Sequence, residues 1–176
     1  MILSDSGLRR LPGATVGRVA VKIRVITIGR KMPDWVVQGC SEYEKRLPRE
    51  IEIEWQEIAP GDRRGGIPPE RAKAEEAEKI LDRLNADDWV VALDERGESI
   101  DTMGLASQLS EWQMHGRAPV ILIGGADGLA PDIMEKAQQR WSLSALTFPH
   151  PLVRVLLSEQ IYRAAMVNAN HPYHRA

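Results

Sequence analysis

The chain of 176 residues has only one cysteine, Cys40. A single cysteine cannot form an internal disulfide, and it excludes a cysteine-rich zinc site. This usage fits a reducing cytoplasm, which is where we expect the protein to work. Because Cys40 falls in a predicted helical stretch, we interpret it as a buried, inert thiol and not as a nucleophile.

Long apolar runs and a strong excess of charge are also missing. No stretch approaches the roughly 20 apolar residues that span a bilayer, so no membrane partner is expected. The net charge is −2, and the composition, with 43% hydrophobic and 27% charged residues, is ordinary for a globular domain. Such a balance gives no general attraction to nucleic acid, and no DNA partner is predicted. Contact with RNA must therefore come from local patches, or from a partner that presents folded RNA.

Two phosphate-binding motifs are absent from the one prominent glycine loop, Gly-Gly-Ala-Asp-Gly at residues 124–128. The loop is not a Gly-x-Gly-x-x-Gly turn after a first strand, and no Gly-Lys-Ser/Thr follows it. A dinucleotide fold and a triphosphate site are therefore unsupported. A glycine loop with few cations suits a ligand of little negative charge, and S-adenosylmethionine fits that description.

Strand and helix patterns alternate along most of the chain. This order predicts an α/β fold, with a mostly parallel sheet and helices on both faces. Strands are predicted at 22–28, 50–58, 89–93 and 120–123, with a last strand or an extended loop at 143–148. Helices are predicted at 34–47, 68–84, 131–140 and 152–169, and one from Ser99 or Asp101 to Gly116 with Leu105, Leu109 and Trp112 inward.

The chain is predicted to form one domain over residues 21–176, preceded by an extension over residues 1–20. The extension has three arginines, no sustained periodicity and no apolar core of a signal peptide. We interpret it as a disordered tail, and a basic arm that contacts RNA is the alternative.

Parallel α/β sheets bind ligands beyond the carboxyl ends of their strands. That rule selects three loops, at residues 94–97, 124–128 and 142–149. The second is the glycine loop, and the third consists of small and hydroxyl residues that end in Pro-His-Pro before the final helix.

Three long motifs carry a resemblance to a known family. They are Ile-Leu-Ile-Gly-Gly-Ala-Asp-Gly-Leu at 121–129, Trp-Ser-Leu-Ser-Ala-Leu-Thr-Phe-Pro-His-Pro-Leu-Val-Arg at 141–154, and Asn-His-Pro-Tyr-His-Arg at 170–175. From about residue 21 to 175 the chain resembles the RlmH family of bacterial ribosomal RNA methyltransferases, in the SPOUT superfamily. The resemblance implies a trefoil knot near the C-terminus, a homodimer, and S-adenosylmethionine as cofactor. It also implies methylation at N3 of a pseudouridine in large-subunit rRNA, within the assembled ribosome.

The resemblance also assigns the cofactor site, position by position. Leu93 and Leu146 could equally be ordinary core residues. Asp127 departs from the family pattern, which has a glutamate there, and could serve only as a turn or capping residue. The positions implied to bind S-adenosylmethionine are Leu93, Gly124, Leu143, Ser144, Ala145, Leu146, Thr147 and Phe148.

The end of the chain, residues 170–176, is dense in aromatic and basic groups, and we call it the C-terminal tail. In the family this tail reaches the methyl-donor site. His171 and His174 lack a third ligand nearby, so no metal is predicted. Tyr173 could stack on a base, His174 could act as a general base, and Arg175 could stabilise a developing anion. A frayed tail is the alternative.

Two residues near the start of the final helix are further candidates. Arg154 could stabilise the anion, or could lie on the helix surface or in a dimer interface. His150, between two prolines, is interpreted as structural. Apolar residues on more than one face of this helix predict that it forms the dimer.

Two variants follow from these assignments. Gly124→Val is expected to block the cofactor while leaving the fold intact. Removal of the tail is expected to leave the fold intact as well, because the tail is predicted to bury almost no apolar surface.

The leading hypothesis is therefore an S-adenosylmethionine-dependent rRNA pseudouridine N3-methyltransferase. Methylation of another RNA base is an alternative, because the cofactor loops do not encode the substrate. A non-catalytic ribosome-binding module is a second alternative, but a pure binder needs no donor pocket. We find no Ser/His/Asp, Cys/His or phosphate-loop arrangement that would favour another small-ligand enzyme.

Overall fold

The computed structural model describes residues 19–175, with the side chains of His174 and Arg175 left outside the description. The predicted extension, apart from its last two residues, also lies outside the described residues. Within them, five strands and five α-helices alternate, with short 3-10 turns at Arg64–Gly66 and Pro172–Arg175. The elements are β1 (Val21–Ile28), α1 (Asp34–Glu44), β2 (Ile51–Ile58), α2 (Pro69–Leu81), β3 (Asp88–Ser99), α3 (Thr102–His115), β4 (Ala118–Ile123), α4 (Pro131–Lys136), β5 (Gln139–Ser142) and α5 (His150–Asn168).

The five strands form one sheet in the order β2-β1-β4-β3-β5, and every neighbouring pair is parallel. Strands covered on both faces need apolar side chains pointing both ways. The central strand β1 meets that need, because Ile23, Val25 and Ile26 are all fully buried. The predicted α/β fold with a parallel sheet is confirmed.

Helices cover both faces of the sheet, as predicted. On one face α3 and α5 pack on the strands in the larger core cluster, with α1 beside α5. On the other face α2 and α4 pack in a second cluster. Among the described residues, no helix is long and apolar enough to cross a bilayer. The knot implied by the resemblance stays a prediction.

Local signals in the sequence explain two helices well. Asp101 caps α3 by accepting a hydrogen bond from the Gly104 amide at 2.7 Å, and Gly116 ends it with a φ of 57°. Cys40 on α1 is buried, as predicted, and burial raises the pKa of its thiol.

The predicted helix at 131–140 is too long, because its last residues form a strand. α4 ends at Lys136, and β5 follows at Gln139–Ser142. Pairing with β3 overrides helical propensity there, since the Gln138 amide donates to the Val90 carbonyl at 2.9 Å. A strand at 143–148 was the wrong alternative, and those residues form the extended loop instead.

The predicted loop at 94–97 is also wrong, because β3 continues to Ser99. The register with β5 shifts between Leu93 and Glu98, so these residues form an irregular part of the strand. Gly97 permits the close approach: a Cβ there would lie 2.7 Å from the backbone carbon of Trp141. Alternating patterns cannot reveal a strand that is interrupted by a bulge and then resumes.

Candidate functional site

The strand order places a crevice at the carboxyl ends of β1 and β4. From β1 the chain leads through α1 to β2 on one side, and from β4 through α4 to β5 on the other. Parallel sheets bind ligands at such a switch point. The loop after β1, the glycine loop after β4, and the loop that precedes α5 all begin at this edge.

The glycine loop needs its glycines for its own conformation. The Gly128 amide donates to the Gly125 carbonyl at 3.1 Å, and Gly128 has a φ of 75°. A Cβ on Gly124 would lie 2.7 Å from the Gly128 backbone carbon and 2.9 Å from the Leu129 nitrogen. The expectation that Gly124→Val leaves the fold intact is therefore wrong, because the valine would displace the loop backbone itself.

The loop at residues 143–148 is organised by a serine. The Ser144 hydroxyl accepts a hydrogen bond from the Leu146 amide at 2.9 Å, and the Ser142 hydroxyl donates to the Ser144 carbonyl at 3.0 Å. Leu146 is 70% exposed, so its interpretation as a core residue is wrong. Ala145 and Thr147 are exposed too, while Leu143 and Phe148 are half-buried.

Leu93 of β3 packs half-buried against the larger core cluster. The backbone of the 143–148 loop is thus exposed at the edge where a ligand would lie, with an apolar side chain beside it.

Arg154, at the start of α5, connects three elements through one buried guanidinium. The residue is 4% exposed. It donates to Glu57 Oε1 at 2.6 Å, to the Gly29 carbonyl at 3.0 Å and to His150 Nε2 at 3.2 Å. We call these four residues the Arg154 network. Arg154 is therefore not a helix-surface residue, and it orients the loop after β1 and the ring of His150.

The Arg154 network fixes the protonation of His150. A guanidinium can only donate hydrogen bonds, so His150 Nε2 accepts and the ring proton is on Nδ1. Burial lowers the pKa of His150, the Arg154 charge lowers it further, and the Gly124 backbone and Glu57 oppose the shift. The Nδ1 atom is buried and makes no hydrogen bond that meets ordinary geometry. The ring of His150 therefore lies between Arg154 and the backbone of the glycine loop.

The C-terminal tail is attached to the other end of α5. The Tyr173 ring meets the Tyr162 ring edge-on at 4.8 Å, and the Arg163 guanidinium lies 4.8 Å from its centre. The Tyr173 hydroxyl donates to Glu159 Oε1 at 3.3 Å. Burial raises the pKa of Tyr173, and the Glu159 charge raises it further. The prediction that the tail buries almost no apolar surface is wrong for this residue.

The two predicted halves of the site lie far apart in one protomer. His150 is the first residue of α5 and lies near the glycine loop. Tyr173 follows the end of α5 but folds back onto it at Glu159 and Tyr162, nine and twelve positions after His150, so it lies roughly 14–18 Å along the helix from His150. The predicted roles of His174 and Arg175 concern side chains outside the described residues. Within the described residues, Tyr173 of one protomer does not reach the cofactor loops of that protomer.

Sequence reasoning missed the partners that orient these residues. Glu57 lies near the end of β2, 97 positions before Arg154, and Gly29 lies 125 positions before it. Asp127 accepts a hydrogen bond from Arg63 Nε at 2.9 Å, which goes beyond its interpretation as a turn residue. Such pairs have no signature in local spacing, because the fold brings them together from different strands.

Comparison with known proteins agrees with this arrangement. The family model described as "Predicted SPOUT methyltransferase" matches residues 21–174. Two relatives, each named Ribosomal RNA large subunit methyltransferase H, come from Methylobacillus flagellatus and Alkalilimnicola ehrlichii. The first is 48% identical over 155 residues, which cover 88% of this chain and 99% of the relative. The second is 50% identical over 156 residues, which cover 89% and 100%.

Two solved structures share the fold. A methylase family protein from Neisseria gonorrhoeae superposes with a TM-score of 0.50 at 13% identity, covering 88% of this chain and 86% of its own. One from Haemophilus influenzae gives a TM-score of 0.52 at 12% identity, covering 88% and 70%.

The fold and the family match define a SPOUT methyltransferase. Within that class, the chain belongs to the RlmH family, which confirms the resemblance found in the sequence. SPOUT methyltransferases use S-adenosylmethionine, so this is the cofactor of the enzyme.

The residues at the crevice fit S-adenosylmethionine. Neither the 124–128 loop nor the 143–149 loop contains a lysine or arginine, which suits a ligand without phosphate. The half-buried Leu93 and the exposed Leu146 add apolar surface at the same edge.

Proposed function

We propose that the enzyme transfers a methyl group from S-adenosylmethionine to N3 of a pseudouridine in large-subunit rRNA. The observation that carries this proposal is the 48–50% identity to the two RlmH relatives over nearly their whole length. Their names specify the large-subunit rRNA, and the resemblance supplies the nucleoside. The assembled ribosome, in the cytoplasm, would present the RNA already folded, which suits a chain with a net charge of −2.

The cofactor would be held by Leu93, by the glycine loop at Gly124, and by the 143–148 loop. Backbone amides and carbonyls of these loops would hold the adenosine, and the exposed Leu146 would cover one side of it. Bound there, S-adenosylmethionine supplies a methyl group that its sulfonium already activates. The chain must then position the base in line with the S–CH₃ bond and accept one proton.

The tail would handle that proton. The imide N3–H of the pseudouridine would have to lose its proton to a base before or as N3 takes the methyl group. We assign His174 as this general base and Arg175 as the cation that stabilises the anionic pyrimidine. Tyr173 would stack on a base of the RNA. Arg154 would act as a positioning residue, through His150 and the Gly29 carbonyl.

A second copy of the chain would bring the tail to the loops. Within one protomer Tyr173 packs at the middle of α5, roughly 14–18 Å along the helix from His150. Several large apolar side chains are exposed near the carboxyl edge: Trp35 at 53%, Met103 at 62% and Leu146 at 70%. We propose a homodimer that covers this edge and places the tail of each copy at the loops of the other.

The structure changes which residues of α5 can form that interface. Leu157, Ile161 and Ala164 are at most 1% exposed and already belong to the protomer core. They belong to the face of α5 that packs on the sheet and cannot contribute to an interface. Val153, Val155 and Leu156 are half-buried and stay available, together with the exposed N-terminal end of α1.

Calorimetry with S-adenosylmethionine, followed by methyl transfer to ribosomes from a strain that lacks the activity, tests the function. We expect one donor site per chain and one methyl group incorporated per ribosome, at N3 of a pseudouridine. Mapping of the labelled nucleoside by mass spectrometry distinguishes this base from any other. Binding of ribosomes without S-adenosylmethionine binding would instead indicate a non-catalytic module.

A further inference from the structure

A buried carboxylate lies behind the glycine loop. Glu76 of α2 is 2% exposed. A charge this deeply buried needs hydrogen-bonding partners, and Glu76 has several. The Gly61 amide donates to Oε1 at 2.8 Å, and the Arg63 guanidinium donates to Oε1 at 2.7 Å and to Oε2 at 3.4 Å.

The Arg63 guanidinium also contacts the glycine loop. Its Nε donates to Asp127 Oδ2 at 2.9 Å while Nη1 and Nη2 stay on Glu76. The two carboxylates raise the pKa of Arg63, with Glu76 making the larger contribution. One guanidinium therefore connects the loop after β2, a buried residue of α2 and the loop after β4. We call Arg63, Glu76 and Asp127 the Arg63 network.

The contact between Arg63 and Asp127 passes the carboxyl end of β1. In the sheet, β1 lies between β2 and β4, so the two loops leave strands about 10 Å apart. The glycine loop is also seated directly on the network. A Cβ on Gly125 would lie 3.2 Å from Glu76 Oε2 and 3.1 Å from the Ile28 side chain.

We propose that Arg63 is a positioning residue for S-adenosylmethionine, which fixes the glycine loop through Asp127 while Glu76 anchors its guanidinium. This inference rests on the proposed function, in which that loop holds the cofactor. It gives Asp127 a role that neither a turn nor a cap would require. The shorter aspartate suffices here because the arginine is long enough to reach it.

The three residues of the Arg63 network are buried to different degrees. This difference decides which substitution can distinguish a positioning role from a purely structural one. Arg63 and Asp127 have side chains 29% and 35% exposed, and partly exposed ion pairs contribute little to folding. Glu76 is buried, so replacing it would destabilise the chain as well. Asp127→Asn is therefore the informative substitution, because it removes the charge at constant shape.

The experiment measures S-adenosylmethionine affinity by calorimetry on the full chain, together with the thermal midpoint. For Asp127→Asn we expect roughly 5- to 20-fold weaker binding, with the midpoint almost unchanged. Arg63→Gln should weaken binding by a similar factor but should also lower the midpoint, because the buried Glu76 loses its ionic partner. KM for the cofactor should rise by the same factor, while kcat at saturating cofactor stays near wild type. Asp127→Glu keeps the carboxylate that Asp127→Asn removes, so it should bind the cofactor with nearly the wild-type affinity.

Two comparisons sharpen the result. Arg64→Gln is the matched control, because Arg64 belongs to the same loop, is 91% exposed and pairs with Asp62. It should bind the cofactor like the wild type. The double variant Arg63→Gln/Asp127→Asn should bind no more weakly than the worse single variant, since both remove the same contact.

Wild-type affinity in Asp127→Asn, or a loss that only follows the unfolded fraction, would overturn the positioning role. Equal losses in Arg64→Gln and Arg63→Gln would also overturn it, since the effect would then come from loop charge in general. A wild-type chain that fails to bind S-adenosylmethionine would overturn both this inference and the proposed function. Normal wild-type binding with unaffected variants would overturn this inference alone.

Discussion

The two ends of α5 are held by different kinds of contact. At its start, Arg154 is buried and bonded to Glu57 and Gly29, which lie 97 and 125 positions away. At its end, Tyr173 contacts Tyr162, Glu159 and Arg163, all within 14 positions.

The first set of contacts exists only in the complete fold, whereas the second needs little more than the helix itself. The start of α5 is therefore fixed by several elements of the sheet, whereas the tail is fixed by α5 alone.

Removing the C-terminal tail should have the largest effect on methyl transfer. A chain truncated after Ala169 should lose methyl transfer, because the only aromatic-imidazole-guanidinium cluster proposed for the site is gone. It should remain folded, at a cost of roughly 0.5–1.5 kcal/mol for the lost aromatic pair. Removal of Ala176 alone is the matched control and should leave the rate unchanged. Normal methylation by the truncated chain would show that the tail has no catalytic role.

Within the tail, His174→Ala should lower the rate about 10²- to 10⁴-fold if this residue is the general base. Affinity for the cofactor should change little, because the loops remain. Single-turnover kinetics on ribosomes measure the effect, and His171→Ala, in the same tail, is the comparison. A normal rate in His174→Ala would transfer the role to Arg175 or to water.

At the start of α5, Arg154→Ala should reduce stability rather than chemistry alone. It leaves His150 Nε2 and the Gly29 carbonyl without their donor, and Glu57 without its partner. We expect a loss of about 2–3 kcal/mol in the free energy of unfolding, moderated because water reaches Glu57. Urea denaturation measures it. Arg163→Ala should cost less, because the Arg163 side chain is 21% exposed whereas that of Arg154 is 4% exposed.

Tyr173→Ala should lower both the stability of the protein and its affinity for the ribosome. Stability should fall by roughly 0.5–1.5 kcal/mol, from the lost contact with Tyr162. Ribosome affinity should fall by about 1–3 kcal/mol if the ring stacks on a base. Tyr173→Phe keeps the ring and should retain most of both. An unchanged affinity in Tyr173→Ala would restrict this residue to packing.

The smallest effect should be a pH dependence at the start of α5. Because the pKa of His150 is lowered in the folded state, the unfolded chain binds the proton more readily. The contribution of His150 to stability is therefore present above about pH 6.5 and is lost as the pH falls below it. Denaturation at several pH values should show this slope, and His150→Asn should reduce it.

Sequence patterns predicted the elements better than their ends. Apolar strands and capped helices such as α3 carry local signals, and these were found in the right places. The β5 strand and the end of β3 were missed, because the pairing of Trp141 with Leu93 and Glu98 depends on two segments far apart in the chain.

The same limit applied to the site. The glycine loop and the 143–148 loop were predicted from motifs and strand ends, and the structure places both at one edge. Arg154 was named as a candidate, and that role stays a prediction. Its partners were not foreseen, because Glu57 resembles any charged residue of a half-exposed strand. The packing of Tyr173 at the middle of α5, away from the cofactor loops, could not be inferred from motifs that are adjacent only in sequence.

Mixed dimers test most directly the central claim that each site combines loops of one copy with the tail of another. One subunit carries Gly124→Val, which displaces its loop, and the other is truncated after Ala169. Each homodimer should be inactive, and light scattering should confirm that both are dimers. After subunit exchange, a shared site predicts about a quarter of the wild-type rate, because half of the dimers are mixed and each has one intact site. No activity in the mixture would contradict the shared site, since loops and tail would then have to come from the same copy.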